Sequence, residues 1–135
     1  MRLVELEPQF IRVEMPVTTW HRVKAGVDPL KYTEADIEEV TGPKEHWAHC
    51  DFASAHGIVF LCPVHVHLDG HSTVWAFEGR GCPPGMLSHN KEGRDTRWQV
   101  SGTGYDDLTM SPSLQVQAEP YCSAHFHVKN GEITA

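Results

Sequence analysis

This chain has no long apolar run and little positive charge. Nothing in its 135 residues approaches the length of a membrane-spanning helix, and no charged-then-apolar leader follows Met1. The expectation is therefore a protein that stays in the cytoplasm. Lys and Arg together number 11 against 18 Asp and Glu, and the formal net charge is −7 with His neutral. Nonspecific affinity for a phosphate backbone comes mainly from cationic side chains, and none cluster here. Nucleic acid and anionic membranes are thus disfavoured as partners. The G-x-S-x-G, P-loop and dinucleotide signatures are all missing. Gly102-Thr103-Gly104 has no helix pattern after it and reads as a turn.

What the chain does have is turn formers, apolar residues in short alternating runs, and histidine. Eleven Gly and nine Pro leave little room for long helices. With 40% hydrophobic residues the chain can build one real core. Phe10 to Met15 alternates apolar and polar residues as a half-buried strand does, and Trp20 to Lys24 repeats this more weakly. The first residues, up to Glu7, read as the start of a strand. Gly57 to Cys62 is an unbroken apolar run, typical of a strand covered on both faces. Ser72 to Phe77 and Thr96 to Val100 are further strands. Leu108 to Met110 and Ser113 to Val116 flank Pro112, which marks a bend or an edge. Phe126 to Thr134 is a hairpin around Asn130-Gly131, a type I′ signature.

One short helix is expected over Lys31 to Val40, with Thr33 as N-cap, Asp36 three positions on, and Gly42-Pro43 as the stop. Residues 79–93 form a long Gly/Pro-rich loop holding Cys82 and His89; a loop thiol is the simplest reading of Cys82. The fold class is mainly β, a small α+β arrangement. A single compact β-sheet domain spans residues 1–135, with N-terminal strands and the short helix in 1–55 and a zinc-knuckle β core in 56–135.

Chemistry concentrates on ten His and four Cys. Cys62-Pro63-Val64-His65 and Cys122-Ser123-Ala124-His125 each separate a thiol from an imidazole by two residues. Two such pairs make the four ligands of a closed tetrahedral site. The expected cofactor is Zn²⁺ and the expected ligands are Cys62, His65, Cys122 and His125. A reducing compartment favours metal over disulfides for these thiols. Strand geometry leaves an alternative open. His65 and His67, and likewise His125 and His127, are two apart, so each pair shares a face and four imidazoles could converge. His67 and His127 are therefore secondary candidates, and His71 is a third.

His65-Val66-His67-Leu68-Asp69-Gly70-His71 is also one inserted residue, Gly70, away from the H-x-H-x-D-H signature of metallo-β-lactamase-like hydrolases. The chain is short for that fold. Cys50 has no assigned role.

The order of motifs resembles a known family. His56 to Pro63 is followed by Trp75-Ala76-Phe77-Glu78-Gly79 and Arg97-Trp98. Ser101 to Thr109, Ser111-Pro112-Ser113-Leu114, Cys122 to His125 and Asn130-Gly131 come next. This is similar to a family of small zinc-knuckle proteins of bacteria and phages, a domain of unknown function often mislabelled ammonia monooxygenase. Its members carry a C-P-x-C knuckle, an L-T-x-x-P-S-I segment and a C-x-x-H before a glycine hairpin. This chain departs from that pattern at His65, where the family has its second Cys, and His can replace Cys at zinc. The resemblance implies a zinc-bound β fold and a phage or mobile-element origin, in the cytoplasm or a virion, and supplies no activity.

Two functions stand open at this point. The first is a non-enzymatic, zinc-stabilised structural or interaction module with a protein partner or a second copy of itself. The second is a small zinc-dependent hydrolase using His65, His67, Asp69 and His71.

Overall fold

The computed structural model describes residues 1–68, 70–87, 95–118 and 121–135. Asp69 and His89, with the rest of residues 88–93 of the expected long loop, lie outside them. The chain forms two compact units. One is Glu14–His46, and the other joins Met1–Val13 to Trp47–Ala135. No helix among the described residues is long and apolar enough to cross a membrane.

The larger unit is built on two four-stranded sheets. The first takes β1 (Gln9–Glu14), β4 (His46–His49), β5 (Gly57–Leu61) and β6 (Ser72–Ala76) in the order β4-β1-β5-β6. β5 lies between β1 and β6, antiparallel to both, and each of its residues is buried or half-buried, in keeping with an apolar run that does not alternate. Strands from both sides of residue 55 therefore share one sheet. The second sheet takes β7 (Gln99–Ser101), β8 (Thr109–Ala118), β9 (Cys122–Lys129) and β10 (Glu132–Thr134) in the order β10-β9-β8-β7.

One core joins the two sheets. Phe60 and Trp75 of the first meet Phe126 of the second at centroid distances of 6.2 and 6.1 Å, both edge to face. Around them Phe10, Ile58, Leu114 and Val128 are buried. Aromatic pairs in this arrangement add attraction beyond their buried area.

The first residues form a single 3-10 turn, Leu3–Leu6, rather than the expected strand. Leu3 and Leu6 are three apart and both fully buried, a spacing that eclipses them on one side of a 3-10 turn. The β9–β10 hairpin is as expected: Lys129 pairs with Glu132, and Asn130 and Gly131 both have positive φ. Gly131 is needed for a second reason, since a Cβ there would overlap the Asp106 carbonyl.

The smaller unit is a hairpin of β2 (Val17–Val23) and β3 (Ile37–Pro43), paired over seven residues from Val17↔Pro43 to Val23↔Ile37. Here the expected helix is corrected. The Thr33–Asp36 capping box does form, with Thr33 N–H donating to Asp36 Oδ2 at 2.8 Å, but it closes only one 3-10 turn, Glu34–Asp36. Ile37 and Val40, within or beside the expected helix, are β-branched and lie in β3. Cross-strand partners decide the matter: Trp20 faces Val40, Arg22 Nε donates to Glu38 at 2.8 Å, and the Thr19 and Thr41 hydroxyls meet at 2.8 Å.

Candidate metal centre and serine–histidine pair

β5 and β6 pair as far as Leu61↔Ser72, and one more bond, from Cys62 N–H to the His71 carbonyl at 2.8 Å, closes the hairpin mouth. Cys62 and His71 are thereby held opposite each other. The chain then turns tightly. His65 N–H donates to the Cys62 carbonyl, and Leu68 N–H and Gly70 N–H both donate to the His65 carbonyl. Gly70 has φ +59, a conformation glycine adopts without steric cost. These turns swing His65 back towards Cys62 and His71.

The fourth group arrives from the other sheet. Cys122 begins β9 with its side chain buried, and its Sγ lies 3.7 Å from Cys62 Sγ. His65 Nδ1 is 3.7 Å from Cys62 Sγ and 3.2 Å from His71 Nε2. One ligand atom from each of Cys62, His65, His71 and Cys122 lies within 4.8 Å of every other, with both thiols buried and both imidazoles half-buried. This grouping can hold a metal ion. Burial, with the Cys62 sulfur alongside, pushes the Cys122 thiol up. A thiolate at this position therefore needs a cation beside it.

Three of the four ligands expected from the sequence come together, and the fourth place goes to His71 instead of His125. The reason is strand parity. β9 alternates strictly, with Cys122, Ala124, Phe126 and Val128 buried and Ser123, His125, His127 and Lys129 exposed. Residues three apart on a strand point to opposite faces, so Cys122 and His125 cannot form a knuckle. His67 is exposed and outside the cluster, and Asp69 lies outside the described residues. Cys50 packs against the main core. Cys82 is buried in a smaller cluster with Val13 and Ala76.

His125 has a different partner. Its Nε2 lies 2.7 Å from Ser113 Oγ. Ser113 sits where β8 departs from regular pairing with β9, between Met110 and Leu114, and the Ser111–Pro112 peptide bond is cis. Pro112 has no N–H to give to a ladder, so regular pairing cannot run through it. From the other side, Trp98 Nε1 donates to the Ser113 carbonyl at 3.3 Å, and the Trp98 indole packs edge-on against Trp75 at 5.0 Å. The serine backbone is thus fixed against the core while its hydroxyl faces the imidazole.

In the sequence Ser113 stands out only as part of the Ser111-Pro112-Ser113-Leu114 segment, and its partner His125 reads as a metal ligand. The alternation from Cys122 to Lys129 was visible in the sequence and separates the two roles once it is followed from Cys122 rather than from Phe126.

β9 therefore carries a metal-cluster thiol on its buried face and the histidine of a Ser–His pair on its exposed face. A nucleophile and a base within hydrogen-bond reach is the arrangement by which serine hydrolases activate a hydroxyl. Residues 65–135 match the model of the family described as bacterial ubiquitination-like system serine protease (BubE), and the chain belongs to that family. No curated protein matches the chain, and no solved structure does.

Proposed function

We propose that the protein is a serine peptidase with Ser113 as nucleophile and His125 as general base, and that a zinc ion in the Cys62–His65–His71–Cys122 cluster clamps the strand carrying that base. The observation that carries this is the 2.7 Å contact between Ser113 Oγ and His125 Nε2. With His125 neutral and its Nε2 unprotonated, Ser113 O–H donates to that nitrogen. As Oγ attacks a peptide carbonyl, the proton passes to Nε2, and His125 then delivers it to the departing amine. Water hydrolyses the acyl-serine by the same proton transfer in reverse. The family is described as a serine protease of a bacterial ubiquitination-like system, which supports a protein of such a system as the substrate class.

Zinc suits the cluster by its dimensions. With Zn–S of about 2.3 Å and Zn–N of about 2.0–2.1 Å, the edges of a tetrahedron are about 3.8 Å for S–S, about 3.3–3.4 Å for N–N and about 3.5–3.6 Å for S–N. The corresponding separations are 3.7 Å for Cys62–Cys122, 3.2 Å for His65–His71 and 3.7 Å for Cys62–His65. Four protein ligands leave no position for a metal-bound water, which favours a clamp over a zinc-activated nucleophile at His65, His67, Asp69 and His71. The clamp keeps the structural role that the sequence suggested for zinc. The Ser–His pair and the family description favour a peptidase over a non-enzymatic module, and the expected protein partner becomes the substrate.

A fluorophosphonate probe tests this without a known substrate, because it phosphonylates an activated serine. Mass spectrometry should locate the adduct on Ser113, and both Ser113→Ala and His125→Ala should abolish it. An unlabelled wild-type protein, or labelling that persists in His125→Ala at the wild-type rate, would show the pair to be structural.

A further inference from the structure

Between Leu114↔Phe126 and Met110↔Val128, β8 inserts three residues, Ser111, Pro112 and Ser113, where β9 has only His127. The bulge that carries the serine therefore stands opposite His127. His127 is exposed on the same face as His125, with buried Phe126 between them, and the two rings lie 5.8 Å apart, tilted by 52°. Ser113 occupies Nε2 of His125, which leaves Nδ1–H of the neutral ring to be oriented by another group. We propose that His127 is that positioning residue, completing a Ser113–His125–His127 relay. The proposal rests on the peptidase assignment of Ser113 and His125.

In the relay a ring nitrogen of His127 accepts the hydrogen bond from His125 Nδ1–H. This fixes the tautomer whose Nε2 lone pair faces Ser113, and it stabilises the imidazolium formed when Nε2 takes the serine proton. An imidazole–imidazole hydrogen bond places ring centres about 5 Å apart. The observed 5.8 Å is therefore less than about 1 Å from contact, a gap that a side-chain rotation closes. Catalytic hydrogen bonds are commonly long in the absence of substrate and shorten when it binds. His127 has no place in the metal cluster, so this role accounts for a histidine that the clamp does not use.

The test is the rate of fluorophosphonate labelling at Ser113 in wild type, His127→Leu and His127→Gln, each first checked for wild-type melting temperature and metal content. His127→Leu retains bulk but has no acceptor, and should slow labelling on the order of 100-fold, the lower end of what a positioned acid–base group contributes. His127→Gln restores an acceptor and should recover most of the rate. Wild-type labelling in His127→Leu overturns the relay while leaving the Ser–His pair intact. Equal slowing in both variants also overturns it, since shape rather than hydrogen bonding would then matter. If Ser113 of the wild-type protein is not labelled at all, the peptidase assignment fails and the relay with it.

Discussion

Replacing single histidines distinguishes the two possible ligand sets, because His71 and His125 exchange roles between them. A structural zinc bound by thiolates and imidazoles contributes about 10–16 kcal/mol at neutral pH. Shared over four ligands, that is about 3–4 kcal/mol each, or on the order of 10²–10³ in metal affinity. His65 Nδ1 and His71 Nε2 are 3.2 Å apart and both within reach of the thiol pair, whereas His125 lies on the other face of β9. His65→Ala and His71→Ala should therefore each lose that factor when competed against a chromophoric chelator, and His125→Ala should hold zinc as the wild type does. The metal-to-protein ratio after gel filtration checks the same point. Removing the metal from the wild type should also lower the melting temperature steeply, because the cluster ties the β5–β6 turn to the first residue of the facing sheet's β9. Loss of zinc from His125→Ala to the same extent as from His71→Ala would refute the reasoning from strand parity.

The other expectations concern the scaffold. Phe60→Ala empties a fully buried site between Trp75 and Phe126 and should cost about 3–5 kcal/mol in denaturant unfolding. Gly131→Ala places a Cβ at φ +75 against the Asp106 carbonyl, and should destabilise the protein by more than the roughly 1 kcal/mol of an ordinary left-handed substitution. Buried His56 accepts the Val13 N–H on Nδ1 at 3.0 Å, and burial, with the Arg12 and Arg97 charges, holds its pKa below the usual 6.5. The unfolded chain then binds this proton more readily than the folded one. The stability contributed by neutral His56 is full above pH 6.5 and declines as pH falls towards the folded value. Thermal melts across that range should show a smaller acid-side decline in His56→Asn than in wild type.

The sheets were legible because their residues alternate, or fail to alternate, for reasons of exposure. β1 shows its half-buried pattern, β5 its cover on both faces, and the Asn130-Gly131 turn its demand for positive φ. The N-terminal turn and the 31–40 segment differ from expectation because short apolar spacings and a capping box suit more than one structure. Leu3 and Leu6 gave a 3-10 turn in place of a strand, while Ile37 and Val40 gave a strand in place of a helix. Two of the thiols and one imidazole of the cluster were legible from local turn chemistry. His71 stands out in the sequence only as a secondary candidate, because it reaches the cluster through the closure of the β5–β6 hairpin, a pairing between residues nine positions apart in sequence. Ser113 was hidden for a related reason. Its partnership with His125 depends on how far β8 slips against β9 around Pro112, which no single-strand pattern records.

The two faces of β9 have a consequence for how this chain can tolerate change. The thiol at Cys122 and the imidazole at His125 are correctly placed only while an odd number separates their positions. A single deletion or insertion between them would turn His125 into the core or Cys122 out to solvent, and so disable either the serine pair or the metal cluster. Two deletions, or two insertions, would restore the parity and preserve both faces. The spacing that resembles a zinc knuckle is, on this strand, a parity constraint that ties two separate chemistries to one reading frame of the sheet.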